Sequence, residues 1–140
     1  MAKGGKKLKA PQVGSGQRIA APTPNSEPSP QQQRPHFSLE YLSSDNYRSC
    51  ETEEQAAFAG TLQKLGQMTW AEIAASHRHK SGTEIIERES LRIPLPSHIT
   101  EDVNIIALRF SGMKPMLGYR DRRILHILWL DRNYSAYKHS

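Results

Sequence analysis

One cysteine, Cys50, is all the chain carries. An intrachain disulfide and a cysteine-built zinc site are therefore excluded. No apolar run approaches the ~20 residues that cross a bilayer, and no apolar stretch follows the early lysines as it would in a secretory signal. The expectations are a cytoplasmic protein and no membrane partner. Gly4-Gly5 and Gly14-Ser-Gly16 have no strand before them, so no phosphate-cradling glycine loop is present. His77, His79 and His98 lack an accompanying carboxylate motif, and neither a metal nor a cofactor is expected. A serine-hydrolase elbow is also missing. Residues 1–35 are nearly free of large apolar side chains, so they cannot bury enough surface to offset chain entropy.

What those 35 residues do have is charge. Lys3, Lys6, Lys7, Lys9, Arg18 and Arg34 stand against Glu27 alone, which equals the whole chain's net charge of +5. Proline, glutamine and serine fill the rest, as in Ala21-Pro-Thr-Pro-Asn-Ser-Glu-Pro-Ser-Pro30. The expected organisation is a disordered basic tail over 1–35 and a single α+β domain over 36–140. Lys3-Gly-Gly-Lys-Lys-Leu-Lys9 reads either as a solubilising tail or as an arm for nucleic acid. Residues 36–140 sum to zero but are polarised. Residues 36–103 hold six basic and eleven acidic side chains, and residues 104–140 seven basic and two acidic. An anion bound by the fold belongs at the C-terminal end.

Period-two alternation predicts a strand over residues 37–42, broken by Ser43-Ser-Asp-Asn46. Thr52-Glu-Glu-Gln55 and Thr69-Trp-Ala-Glu72 both read as capping boxes opening helices. The first helix is expected over about residues 53–65, with Gly66 ending it and Phe58, Leu62 and Leu65 as its buried stripe. The second covers about residues 70–76 and buries Trp70, Ile73 and Ala74. Prolines 94 and 96 confine residues 91–96 to a sheet edge or a strap. Residues 104–111, 115–120 and 124–130 are β-rich and joined by very short turns. They must form an antiparallel meander, making a sheet of three to four strands.

The cations of the meander are spaced out, with aromatics between them. Lys114, Tyr119, Arg122, Arg123, Arg132, Tyr134 and Lys138 suit RNA, since cations neutralise phosphates and rings stack on bases. The alternative is that they are solvated turns and strand ends. Parity places Leu108 and Phe110 toward the helices and Arg109 toward an open face. On the last strand Ile124, His126, Leu128 and Leu130 share one side, and Leu125, Ile127 and Trp129 the other. His126 among leucines reads first as a core histidine.

The order of strand, helical pair and Arg-bearing antiparallel strands resembles the RelE/ParE toxin superfamily of toxin–antitoxin systems. The similarity lies in Ala107-Leu-Arg-Phe-Ser-Gly112, Met116-Leu-Gly-Tyr-Arg120 and Leu125-His-Ile-Leu-Trp-Leu-Asp131. It implies an RNA-engaging toxin, up to a metal-independent, ribosome-dependent mRNA endoribonuclease. Its partners would be RNA or the ribosome and a small acidic antitoxin. The resemblance also implies that Arg109 and Arg120 stabilise phosphate charge, and that His126, Tyr137 or His139 transfers a proton to or from RNA. A non-catalytic protein- or nucleic-acid-binding module remains the competing reading. Trypsin is expected to remove the 1–35 tail and leave a stable core; prompt cutting within residues 53–65 or 104–130 contradicts this division.

Overall fold

The structure is a computed structural model that describes residues 28–76 and 83–138. In chain order the elements are β1 (His36–Ser38), α1 (Ser44–Ser49), α2 (Thr52–Leu65), α3 (Trp70–Ala75), β2 (Glu84–Ile86), β3 (Ile105–Ser111), β4 (Lys114–Asp121) and β5 (Ile124–Leu130). Single 3-10 turns occupy Pro30–Gln32 and Arg88–Ser90. The fold is α+β, with one five-stranded sheet in the order β1-β5-β4-β3-β2. The meander forms as its short turns require. Two further strands join it at the edges: β2 antiparallel to β3, and β1 parallel to β5. A purely antiparallel sheet of three to four strands is thus corrected to a mixed sheet of five.

The local chemistry explains most boundaries. Thr69 and Glu72 make the expected reciprocal cap: Glu72 N–H donates to Thr69 Oγ1 at 3.1 Å, and Thr69 N–H to Glu72 Oε1 at 2.9 Å. At α2 the cap moves back one residue, because Glu51 N–H donates to Glu54 Oε1 at 2.7 Å. The stretch expected only to break β1 winds into α1, with Ser43 Oγ accepting from Asn46 N–H. The α1 residue Asn46 is buried, and its side-chain amide pairs with both backbone groups of Leu130 at 2.9 and 2.7 Å. That pairing occupies the edge of β5 beyond its last partner in β1, since the β1 register ends at Ser38 opposite His126. Strand β1 stops at Ser38, shorter than the alternation implied. Ala74 is exposed.

Both faces of the sheet are covered. Phe58, Leu65, Trp70 and Ile73 pack on one, over Ile106, Leu108, Phe110 and Ile127. On the other lies a strap, residues 91–103, together with residues 131–138, over Ile105, Ala107, Leu117 and Leu128. The strap is tied to the C-terminal segment by a Leu91–Tyr137 bridge and by hydrogen bonds from Arg92 N–H to Ala136 O and from Lys138 N–H to Ser90 O, both 2.8 Å. The face expected to be open at Arg109 is therefore roofed.

A bulge resets the last strand. Leu117 pairs with Trp129, but the next residue, Gly118, pairs with Ile127, so Leu128 is extra. His126 and Leu128 stay on the strap side, Trp129 joins them, and Leu130 crosses to the helix side. The simple alternation read from the sequence fails at that residue. Gly118 permits the bulge, because a Cβ there would stand 2.4 Å from the carbonyl oxygen of His126. Gly118→Ala is expected to cost roughly 3 kcal/mol, at the upper end of ordinary single substitutions. Urea unfolding measures it, and a loss under about 0.5 kcal/mol, the scale of a neutral surface change, contradicts this role for the glycine.

Candidate nucleic-acid interface

Two expected RNA-binding cations have partners inside the fold. Lys114 Nζ lies 3.2 Å from Glu54 Oε2, and Arg132 Nε donates to Glu54 Oε1 at 2.7 Å while Nη2 sits 3.4 Å from Glu51. Glu54 is only 6% exposed. The Glu51 amide, then Arg132, then Lys114 favour its charged form, and together they outweigh burial and hold its pKa at about 2. This carboxylate ties α2 to the start of β4 and to the chain leaving β5.

The residues grouped as catalytic do not form one site. Arg109 lies half-buried on the strap side, close enough for its charge to act on Tyr137. Tyr137 is 6% exposed, and burial first, then Glu84 and Asp131, push its phenol up to about 12. Arg120 projects from the opposite face, with its guanidinium 3.9 Å above the Trp70 ring. His126 lies on the strap side but at the β1–β5 edge, stacked on Tyr119. His139, like His77 and His79, falls outside the described residues. Among the expected binders, Tyr119 is buried and Tyr134 is 47% exposed at φ 57°. Lys138 is an exposed side chain on the strap tie.

A different grouping emerges at the β4–β5 turn. Arg120 donates to the carbonyl of Arg122 through Nε (3.2 Å) and Nη2 (3.0 Å), and to Gln31 Oε1 through Nη1 (2.6 Å). Arg123 Nε donates to the carbonyl of Arg34 at 2.9 Å, while its own carbonyl accepts from His36 N–H and Trp70 Nε1. Arg34, Arg120, Arg122 and Arg123 are thereby gathered at one end of the sheet. Asp121 is the single acid of that turn. Arg122 sits at φ 60°, in the left-handed region. Residues 28–35, counted with the tail on composition, are built into this corner through Gln31, Gln33 and Arg34.

Next to the corner, on the strap side, four rings meet from four segments. Tyr119 stacks on His126 (centroids 4.6 Å, 13°), and its hydroxyl is 2.8 Å from His98 Nε2. Tyr41 packs on His98 at 4.6 Å and on His126 at 5.9 Å. The Nδ1 atom of His126 is buried without a hydrogen-bond partner. Burial first, then Tyr41, Asp121 and Glu40, raise the Tyr119 phenol above its usual value, so it stays neutral near pH 7. No group of three or more His, Cys, Asp or Glu suited to a metal occurs among the described residues. No helix among them is long and apolar enough to cross a membrane. Sequence reasoning missed Arg34, Trp70, Tyr41 and His98 as members of a site, because only the fold brings them together.

Two clefts adjoin these features. One of about 490 Å³ runs between α1 and α2, lined by Leu39, Leu42, Tyr47, Phe58 and Leu62. The other, about 450 Å³, lies on the helix side between α3 and the β2–β3 edge, with Trp70 and Arg120 in its wall.

The Glu54 clamp has a testable pH dependence. Its folded pKa, about 2, lies below the ordinary 4.5, so its stabilisation is full above pH 4.5 and fades as pH falls toward 2. Glu54→Gln should lower stability at pH 7 by about 1–3 kcal/mol, the range for removal of a charged hydrogen bond. The gap between variant and parent should close by pH 2, and a gap independent of pH contradicts the assignment. No family model matches this chain, and no curated protein or solved structure matches it either.

Proposed function

We propose that this domain engages RNA, with the arginine corner at the β4–β5 turn as its phosphate-binding end. The observation that carries the reading is the convergence of Arg34, Arg120, Arg122 and Arg123 at the β4–β5 turn. The guanidiniums of Arg120 and Arg123 are fixed in place, so they lose little freedom on meeting phosphate. The ring cluster of Tyr41, His98, Tyr119 and His126 stands beside them, offering aromatic faces and imidazoles to a single strand. In the toxin-like reading drawn from the RelE/ParE resemblance, the RNA is ribosome-bound messenger. Cleavage would then use the RNA's own 2′-hydroxyl, with His98 or His126 moving the proton and no metal taking part. Arg109 and Arg120 act separately here, since they occupy opposite faces of the sheet.

A second reading, a non-catalytic interaction module, is favoured by the apolar cleft between α1 and α2. Leu39 at 49% and Tyr47 at 37% exposure flank it.

The first reading is tested by titrating single-stranded RNA against increasing salt. Arg34→Ala with Arg122→Gly removes two exposed cations, and the glycine suits the left-handed position. The salt slope should fall by about 0.7 for each phosphate no longer neutralised, uniformly across sequences. Deleting residues 1–27 should flatten it further. An affinity that neither change alters, or an absence of RNA binding by the intact chain, leaves the interaction module as the function.

A further inference from the structure

The cleft between α3 and the β2–β3 edge has the chemistry of a nucleobase site. Its floor is apolar, formed by Trp70 and Ile106, which are 2% and 7% exposed. Ile85 and Val103 form one wall. Ile85 is 62% exposed, so an apolar surface faces solvent there. Arg120 forms another wall, its guanidinium held by the Trp70 ring, Gln31 and the Arg122 carbonyl. Asp102 and Asn104 stand at the rim. A volume of about 450 Å³ lies within the range of small-ligand sites, and an apolar body with few polar groups is their usual composition.

The polar groups narrow the ligand. The Asp102 side chain accepts a hydrogen bond from the Thr100 hydroxyl, which orients the carboxylate and, with the charge of Arg88, keeps it ionised. An ionised carboxylate only accepts, and its two oxygens accept side by side. Guanine presents two adjacent donors, N1–H and the N2 amino group, on its Watson–Crick edge. Adenine, cytosine and uracil each place an acceptor next to their donor. Arg120 belongs both to this cleft and to the phosphate-binding corner, so one strand can reach both.

We infer that this cleft is a guanine subsite, in which the base lies between Arg120 and the Ile85–Val103 wall and Asp102 accepts from its N1–H and N2 amino group. The inference rests on the RNA reading and adds base selectivity to it. A corner that binds phosphate alone reads no sequence, whereas a bidentate carboxylate–guanine pair does.

The test uses the intact chain and two uridine oligonucleotides of equal length, one with a single central guanosine and the other with a central adenosine, followed by fluorescence anisotropy. The guanosine oligonucleotide should bind about 10-fold tighter, within the discrimination of one bidentate base contact. Asp102→Asn should bring the two affinities together. Asp102 is exposed, so the variant should fold as the parent does, which circular dichroism checks. Arg34→Ala with Arg122→Gly should weaken both oligonucleotides equally and leave their ratio unchanged. Equal binding of the two by the parent chain, or a preference that survives Asp102→Asn, overturns the guanine subsite and leaves the RNA reading intact. Binding of neither overturns the RNA reading, and the subsite with it.

Discussion

The arrangement of both faces depends on the close approach of β4 and β5 at Gly118. With no side chain there, the carbonyl of His126 enters the space a Cβ would fill, and β5 takes one extra residue. A bulge in a central strand changes which face every later residue meets. Here it returns Leu130 to the helix side, where its backbone bonds to Asn46 of α1. Before the bulge, His126 faces the strap and meets Tyr119 across the strand pair. Helix docking at one end of β5 and the ring cluster at the other thus follow from one missing side chain.

Electrostatics then divides the cations between structural and available roles. A carboxylate as buried as Glu54 requires compensation, because an unpaired charge away from water is strongly unfavourable. Lys114 and Arg132 supply it, one from the start of β4 and one from beyond β5. Cations with a buried acid as partner are poor candidates for phosphate. Around the β4–β5 turn the partners are carbonyls, a glutamine and an indole ring, none of them negatively charged. Such interactions fix a guanidinium in place and leave its charge uncompensated. Counting basic residues along the sequence cannot distinguish these two situations.

Legibility in the sequence followed the range of the interactions. The Thr69–Glu72 cap, the stop of α2 at Gly66, the strap and the three-stranded meander depend on contacts a few residues long or on proline stereochemistry, and each could be read. The cap of α2 was misplaced by one residue because Glu54 answers to distant cations as well as to its own helix. Strand β2 is too short to carry a period, and α1 looked like a turn because serine, aspartate and asparagine serve both. The extra residue in β5 leaves no mark on an all-apolar strand. The ring cluster was invisible for a similar reason, since Tyr41, His98, Tyr119 and His126 share no local pattern.

The placement of Trp70 connects the two aspects of the proposed interface. Its backbone and indole N–H groups hold the segment entering at residues 28–35 and the β4–β5 turn, while its ring face holds Arg120. The ring is buried, so its contact with the guanidinium is shielded from water and stronger than an exposed pair would be. One residue at the start of a six-residue helix therefore sets the positions of the incoming chain, the turn and the cation shared by corner and cleft. A short helix suffices for this, because what is required of α3 is one anchored ring at its first turn. The same ring lines the cleft beside the β2–β3 edge, together with Ala74 of the same helix.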